Sequence, residues 1–342
     1  MRRLVFPLAL ALTAAAPARL AAQRPADLTR PLRPVATYSI VARDSVTGEM
    51  GVAVQSHWFS VGTTVPWAEA GVGAVATQSF VDARYGPLGL ELMRLGRSAP
   101  EALRGLVISD ADSAVRQVAM VDAQGRVAAH TGSRAIRAAG HQVGRQYSVQ
   151  ANLMEKPTVW PAMARAYETT KGDLAERLLA ALEAAQREGG DIRGRQSAAI
   201  VIVAPTSTGR PWADRRFDLR VEDHPNPVAE LRRLVALARL YQKMNEGDDL
   251  VTKNDIPGAV AAYGVATSAL PDSATNGEAA FWTGISLASA GRVDDALPYL
   301  RRAYSVDKKW AELVTRLPDA GLLPKQQGLV ERLVGGMKSG GR

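Results

Sequence analysis

Residues 35–56 read VATYSIVARDSVTGEMGVAVQS. Two runs of strand-forming residues, 37–43 and 51–56, flank the turn-forming sequence Asp-Ser-Val-Thr-Gly at 44–48. β-Branched and aromatic residues favour strands, whereas Asp, Ser and Gly favour the turns between them. The stretch therefore predicts an antiparallel hairpin whose first strand begins at Thr37.

Strand pairs and helix pairs alternate along the next part of the chain. The sequence predicts further strands at 60–67, 71–79, 147–153, 197–205 and 216–221, and a hairpin over 116–132. It predicts helices at 87–96, 101–109, 157–169 and 173–188. Two of these helices begin with capping patterns, Ser98 with Glu101 and Asp173 with Glu176.

The hairpins predict antiparallel sheets, because parallel neighbours would need a crossover between each pair of strands. The run 198–204 is apolar at nearly every position, so we expect both faces of that strand to be covered. Two antiparallel sheets packed face to face, with helices outside each, satisfy both conditions. We therefore predict an α+β fold, a four-layer αββα sandwich, over residues 37–225.

Residues 226–342 carry helical patterns and no strand signals. Two segments, about 240–271 and 277–308, align with each other, and 37 residues separate the matching Ala259 and Ala296. Small residues at such positions let antiparallel helices approach closely. The pattern resembles tetratricopeptide repeats and predicts an all-α C-terminal domain with flanking helices at 226–244 and 309–335.

The first 22 residues predict a secretory signal peptide. Arg2 and Arg3 precede an apolar run, Leu4–Ala16, and small residues near Ala22 suit cleavage. Residues 23–36 contain three prolines and predict an extended leader. We therefore expect an exported protein, periplasmic or extracellular, and the lack of cysteine means that its core forms without disulfides.

Several function classes are disfavoured by composition. The net charge is +8, but the basic residues are spread out and aromatic residues make up only 6%, so we expect no nucleic-acid partner. Beyond the signal, no apolar stretch is long enough to cross a membrane. The four histidines do not fall at metal-ligand spacing, and we expect neither a metal nor a cofactor. The sequence Gly-Val-Gly-Ala-Val-Ala at 71–76 matches a dinucleotide fingerprint but precedes Thr-Gln-Ser-Phe instead of a helix.

Thr37 carries the main functional hypothesis. A threonine at the edge of the first strand of an αββα sandwich resembles the nucleophile of the N-terminal-nucleophile hydrolases. In those enzymes the side-chain oxygen of the first residue attacks an amide, and its own α-amine is the base. The reference pKa of an α-amine is about 7.7–8.0, so a useful fraction is neutral at physiological pH. The structural alternative is that Thr37 is an ordinary strand residue.

Many blocks in order resemble a family of unknown function numbered 1028. They include TYSIVARDSVTGEMGVAVQS, YGPLGLELMRLG, VDAQGRVAAHTG, GRQSAAIVIV and DHPNPVAELRRL, and the resemblance covers about residues 36–236. Members of that family commonly begin Met-Thr-Phe-Ser-Ile, so removal of methionine would expose the threonine. The resemblance implies a fold like that of the N-terminal-nucleophile hydrolases, and it implies no substrate.

Other site residues follow from the same superfamily pattern. We expect a pocket around Thr37 whose rim is formed by Gln55, Ser56, His57, Gln78 and Asn152, each at or just after the end of a strand. Two features depart from the pattern: the third strand lacks the lysine of proteasome-like subunits, and a leader precedes Thr37. Either self-cleavage at Ala36 or another protease would have to remove that leader.

Two functions of different classes remain open. The first is an exported amidohydrolase that acts on an unidentified small-molecule or peptide amide. The alternative is a non-catalytic sandwich that binds a ligand or protein, with the helical repeats as a docking module; a purely structural scaffold is a third, weaker hypothesis. A protein partner on the repeats and a homo-oligomeric state both stay open. The mature N-terminus distinguishes the first two functions.

Overall fold

The computed structural model describes residues 35–339, and these belong to one compact unit. The strands are β1 Thr37–Arg43, β2 Met50–Ser56, β3 Pro66–Glu69, β4 Gly73–Ser79, β5 Arg116–Asp122, β6 Val127–Thr131, β7 Gly140–Gly144, β8 Tyr147–Ala151, β9 Ser197–Val203 and β10 Arg215–Val221. The helices are α1 Tyr85–Arg94, α2 Ala99–Ser109, α3 Val159–Thr169, α4 Leu174–Arg187, α5 Pro211–Asp214, α6 Pro227–Thr252, α7 Ile256–Ala269, α8 Glu278–Ser289, α9 Val293–Val306, α10 Lys309–Val314 and α11 Leu329–Lys338.

The predicted hairpin over 37–56 forms as β1 and β2, and its turn is held by the Asp44 carboxylate, which accepts from the backbone N–H groups of Val46 and Thr47 at 2.8 Å. Ser98 and Glu101 form the predicted capping box at the start of α2. The predicted strand at 60–67 is only partly right, because the strand begins at Pro66. Residues 61–63 form a 3₁₀ turn, and Ser60 before it adopts a left-handed φ of 57°.

The strands form two antiparallel sheets. The larger sheet has six strands in the order β10-β9-β2-β1-β8-β7, and the smaller has four in the order β3-β4-β5-β6. Thr37 of β1 lies opposite Ser56 of β2 in the larger sheet, and Gln78 of β4 lies opposite Gln117 of β5 in the smaller. These two pairs place the polar ends of four strands within one region.

The two sheets bury an apolar layer between them. Val41, Val52 and Val54 from the larger sheet belong to the same buried cluster as Ala76 and Val121 from the smaller one. Full burial of one such side chain contributes about 1.5–3 kcal/mol. Because side chains alternate along a strand, Thr37, Ser39 and Val41 share the face of β1 that looks toward the smaller sheet.

Helices cover the outer face of each sheet. Ile40 and Val149 of the larger sheet are buried with Met163 of α3 and Leu178 of α4. On the smaller sheet, α1 and α2 cover Val75, Val118 and Met120 with Leu90, Met93 and Leu103. A mixed α+β fold with two antiparallel sheets was predicted, and that level of the prediction is confirmed.

The C-terminal region is helical, as predicted, and α6 connects it to the sheets. Leu231 and Val235 in the first half of α6 are buried in the core of the larger sheet. Met244 in its second half is buried with Ala266 of α7 and Ala279 of α8. The predicted boundary between residues 225 and 226 falls just before this helix.

Two glycines mark equivalent positions in the two aligned segments. A Cβ on Gly247 would lie 2.3 Å from the Tyr263 ring, and a Cβ on Gly284 would lie 2.6 Å from Cγ of Leu300. Each glycine therefore lets the next helix approach closely. Within residues 35–339, no helix is both long and apolar enough to cross a membrane. The predicted signal peptide and most of the leader lie outside the described residues.

Candidate functional site

Thr37 is enclosed at the first position of β1. Its exposed fraction is 0%, and the two residues before it, Val35 and Ala36, have exposed fractions of 1% and 0%. Val35 pairs with Ser79 at the end of β4: Val35 N donates to Ser79 O at 2.7 Å, and Ser79 N donates to Val35 O at 3.0 Å. The last leader residues thus continue β1 as an extended segment that reaches the smaller sheet.

The Thr37 hydroxyl contacts the backbone of the segment that precedes it and the side chain of Ser56. Thr37 Oγ1 donates to Val35 O at 2.7 Å and lies 3.3 Å from Ser56 Oγ. The Ser56 hydroxyl in turn donates to the carbonyl oxygen of Ala36. The structure therefore brings the predicted nucleophile and Ser56 together at the Ala36–Thr37 peptide bond.

A second donor to the same carbonyl comes from the loop between α4 and β9. Arg193 Nη2 donates to Ala36 O at 3.0 Å, and the same nitrogen pairs with Asp191 Oδ2 at 2.8 Å. Asp191 Oδ2 also accepts from the backbone N–H of His57 at 3.1 Å. A hydroxyl and a cation thus converge on one carbonyl oxygen, and such paired donors stabilise the negative charge that a tetrahedral intermediate would place there.

A group of buried amides holds the Thr37 carbonyl. Its oxygen accepts from Asn152 N at 3.1 Å and from Gln78 Nε2 at 3.2 Å. The amides of Gln78 and Asn152 also donate to Gln117 Oε1, at 2.7 and 2.9 Å respectively. The network fixes the start of β1 relative to β5 and to the residue after β8.

The same network continues deeper between the sheets. Ser39 Oγ donates to Gln78 Oε1 at 2.6 Å and accepts from Gln150 Nε2 at 2.6 Å. Ser148 Oγ donates to Gln150 Oε1 at 3.0 Å. Hydroxyls and amides carry no charge at ordinary pH. We name this set, Ser39, Gln78, Gln117, Ser148, Gln150 and Asn152, the amide network.

Two residues that hydrogen-bond to the segment 35–37 each carry a buried side-chain atom with no partner within residues 35–339. These atoms are the Ser79 hydroxyl and Oδ1 of Asn152. Ser79 also has a φ of 72°, a left-handed conformation that is uncommon for a residue other than glycine. Buried polar atoms without partners and uncommon backbone conformations both concentrate at functional sites.

Of the remaining predicted rim residues, Gln55 lies differently from the expectation. Gln55 is opposite Tyr38 in the register, so both side chains lie on the helix-covered face of the sheet, away from the Thr37 hydroxyl. The prediction placed Gln55 and Ser56 in one pocket, but successive strand residues face opposite sides. His57 contacts Asp191 through its backbone, and its Nδ1 is buried without a partner among the described residues.

The helix-covered face has an open cavity of about 450 Å³. It lies between the end of α4 and the start of α6, and Gln186, Arg187, Arg195 and Asn226 are among its lining residues. The Tyr38 hydroxyl donates to Gln186 at 3.0 Å, and burial raises the pKa of that tyrosine. Tyr38 and Thr37 point to opposite faces of the sheet. The cavity and the Thr37 hydroxyl therefore lie on different sides of it.

Sequence reasoning missed Arg193, Asp191 and Gln117. The signal for the first two was only a charged Asp-x-Arg sequence after two glycines, in a loop with no periodicity. Gln117 lies in the predicted hairpin over 116–132, where its amide next to the apolar run 118–121 was the available signal. Among the described residues, no group of three or more potential metal ligands was found.

Comparisons with known proteins agree with the resemblance seen in the sequence. The model of a family described as "Family of unknown function (DUF1028)" matches residues 37–231, more than half of the chain. The crystal structure of protein SPO2555 from Silicibacter pomeroyi, also of that family, is similar, with a TM-score of 0.53 and 30% sequence identity. The similarity covers 58% of this chain and 84% of that one. No curated protein matches.

Proposed function

The chain belongs to the DUF1028 family, and we propose that it is an exported amidohydrolase of the N-terminal-nucleophile type with Thr37 as the nucleophile. One observation carries the proposal. The carbonyl next to Thr37 accepts hydrogen bonds from both Ser56 and Arg193, so donors for a tetrahedral intermediate already lie beside the Thr37 hydroxyl. A buried carbonyl needs a hydrogen-bond partner in any fold, but a hydroxyl together with a guanidinium supplies the donors that a developing oxyanion requires.

The proposed reaction uses the free α-amine of Thr37 as the base. The amine accepts the Thr37 hydroxyl proton while Oγ1 bonds to the substrate carbonyl carbon, and Ser56 and Arg193 stabilise the oxyanion. The amine then passes the proton to the leaving nitrogen as the carbon–nitrogen bond breaks. Water, activated by the same amine, hydrolyses the ester and restores the Thr37 hydroxyl.

This mechanism requires cleavage of the Ala36–Thr37 bond, because an acylated nitrogen cannot act as a base. Proteases act on accessible, locally flexible segments. Here Ala36 and Thr37 are both fully buried, and the backbone N–H and C=O of Val35 are both hydrogen-bonded to Ser79. The geometry therefore favours self-cleavage over cleavage by another protease, once the chain has folded.

Self-cleavage can be written with water as the sole co-reactant. Thr37 Oγ1 bonds to the carbonyl carbon of Ala36, the bond from that carbon to Thr37 N breaks, and the hydroxyl proton goes to the departing nitrogen. The product is an ester between Ala36 and the Thr37 side chain. Water then adds to the ester carbon, which releases the leader with a terminal carboxylate and returns a proton to Oγ1.

The mature N-terminus tests the proposal. Protein from its natural compartment is expected to begin at Thr37, as measured by N-terminal sequencing and intact mass. Thr37→Ala is expected to retain the leader and to hydrolyse no amide, whereas the matched control Thr47→Ala, in the exposed turn between β1 and β2, behaves as wild type. A mature chain that still carries its leader would contradict the amidohydrolase and support a binding sandwich.

The proposal also covers the type of fold, the helical region and export. The layers described above support an αββα sandwich of the N-terminal-nucleophile type. The equivalent packing of Gly247 and Gly284 supports two tetratricopeptide-like repeats, which we propose as a docking module for a protein partner. Export rests on the sequence pattern of residues 1–22, and fractionation of the native host followed by intact mass tests it.

A further inference from the structure

We infer that the mature site binds the acyl half of its substrate as an extended peptide, with a small L-residue next to the scissile amide and an apolar residue before it. This inference rests on the proposed function. It follows from how the site holds Val35 and Ala36, which leave when the Ala36–Thr37 bond is cleaved.

The first argument concerns the carbonyl. In self-cleavage and in substrate turnover, the same atom, Thr37 Oγ1, attacks a carbonyl carbon. The oxygen on that carbon must lie where Ser56 and Arg193 donate, and in this structure the Ala36 oxygen occupies that position. The acyl group of a substrate therefore takes the place that Ala36 leaves.

The second argument concerns size. Ala36 is fully buried, so its surroundings are already filled around a methyl side chain. Inserting a larger side chain into a packed interior forces neighbouring groups to move. The position next to the scissile amide consequently favours alanine or a residue of similar size over an aromatic one.

The third argument concerns the backbone of Val35, the residue before Ala36. Val35 exchanges two hydrogen bonds with Ser79, at 2.7 and 3.0 Å, in the manner of a peptide added to the edge of a sheet. Its side chain is buried in the apolar cluster between the sheets with Val54, Val61 and Ala76. After the leader departs, both Ser79 backbone groups lose these partners, and an extended peptide restores them.

Hydrolysis by the mature protein tests the inference, after its N-terminus has been verified as Thr37. Acetyl-Val-Ala para-nitroanilide is expected to have a kcat/KM about tenfold or more above that of acetyl-Val-Phe and acetyl-Val-D-Ala para-nitroanilides. Methylation of the valine nitrogen removes the donor to Ser79 O and should lower kcat/KM about tenfold. Arg187→Gln, on the helix-covered face, is the matched control and should keep the same ranking.

Binding provides a readout that does not depend on turnover. The product acid, acetyl-Val-Ala, is expected to bind the mature protein in calorimetry, and not to bind Thr37→Ala, whose own leader fills the site. Equal binding to both proteins would overturn the inference.

The outcomes separate the inference from the proposed function. Equal hydrolysis of the alanine and phenylalanine substrates would overturn the inference and leave the amidohydrolase standing. Selective binding of acetyl-Val-Ala without hydrolysis of any amide would overturn the amidohydrolase and support the peptide site. A mature protein that neither binds nor hydrolyses these peptides would contradict both.

Discussion

The layer between the two sheets has two chemically different parts. Around Val41, Val52 and Val121 it is an ordinary apolar core. Around Thr37 it is the amide network, equally buried but built from hydroxyls and amides. Burial of a polar group is unfavourable unless it is hydrogen-bonded, so the second part gains little stability over an apolar packing of the same shape. The comparison teaches that the apolar part supplies most of the net stability, whereas the Thr37 end holds polar groups in fixed positions and is destabilising when one of them loses its partner.

Replacement of Arg193 is expected to have the largest effect on the Thr37 end. Arg193→Gln removes the cation from the Ala36 carbonyl and leaves Asp191 buried without its ion pair, which is expected to lower the free energy of unfolding by about 3–5 kcal/mol. The double variant Arg193→Gln with Asp191→Asn should recover much of that stability without recovering self-cleavage. Chemical denaturation and intact mass measure the two effects separately. Full recovery of self-cleavage in the double variant would exclude Arg193 as the oxyanion donor.

Ser56→Ala should affect the rate more selectively. It removes one donor to the Ala36 oxygen, and loss of one oxyanion donor typically lowers a rate by about 10²–10³-fold. The self-cleavage rate is followed by intact mass over time after refolding, with Ser45→Ala in the exposed turn as the control. Unchanged self-cleavage in Ser56→Ala would mean that the serine has only a structural role.

Val52→Ala tests the apolar part in the opposite way. Val52 is fully buried, and loss of its two methyl groups should lower the free energy of unfolding by about 1.5–3 kcal/mol. Because Val52 makes none of the hydrogen bonds around Thr37, self-cleavage at a temperature well below the unfolding midpoint should stay within about twofold of wild type. A large rate defect in the folded variant would show that the two parts are not independent.

The smallest expected effect is that of pH on the rate of amide hydrolysis. It is also the most specific test of the comparison. Amide hydrolysis should rise about tenfold per pH unit below the pKa of the Thr37 α-amine, because only the neutral amine is a base. The reference value is about 7.7–8.0, and the nearby Arg193 cation disfavours a second positive charge, so the apparent pKa should fall at or below that range. The measurement is kcat/KM against pH for the mature protein. The amide network should add no further titration, because its side chains do not ionise in this range.

Local chemistry predicted much of the fold. The turn after β1 and the capping box of α2 are short-range signals, and both form as the sequence indicates. The turn at 61–63 was misread because its conformation depends on packing: a Cβ on Gly62 would lie only 2.8 Å from Ala199, a residue of β9. β7 has no clear sequence signal, because Gly-His-Gln-Val-Gly lacks an alternation of apolar and polar residues; in the structure its three central residues are exposed.

In the candidate site, the sequence predicted only the residues that lie at or next to the ends of predicted strands. Thr37, Ser56, Gln78 and Asn152 were found because each lies at or next to the end of a predicted strand. Gln55 does not share their position, because the two-residue alternation along a strand places it on the face opposite to that of Ser56. Arg193 could not be found by any local rule, since only the folded chain brings its loop over the first strand.

The distances along the chain between the groups at the Ala36 carbonyl have a consequence for export. Ser56 lies 20 residues from Ala36, and Arg193 lies 157 residues from it. An unfolded chain in transit cannot bring these donors together, so its Ala36–Thr37 bond has only the reactivity of an ordinary peptide. In the proposed scheme the correctly folded state is therefore the trigger for activation. In that scheme the chain would stay inert before and during translocation without an inhibitor, and misfolded copies would not acquire a reactive N-terminus.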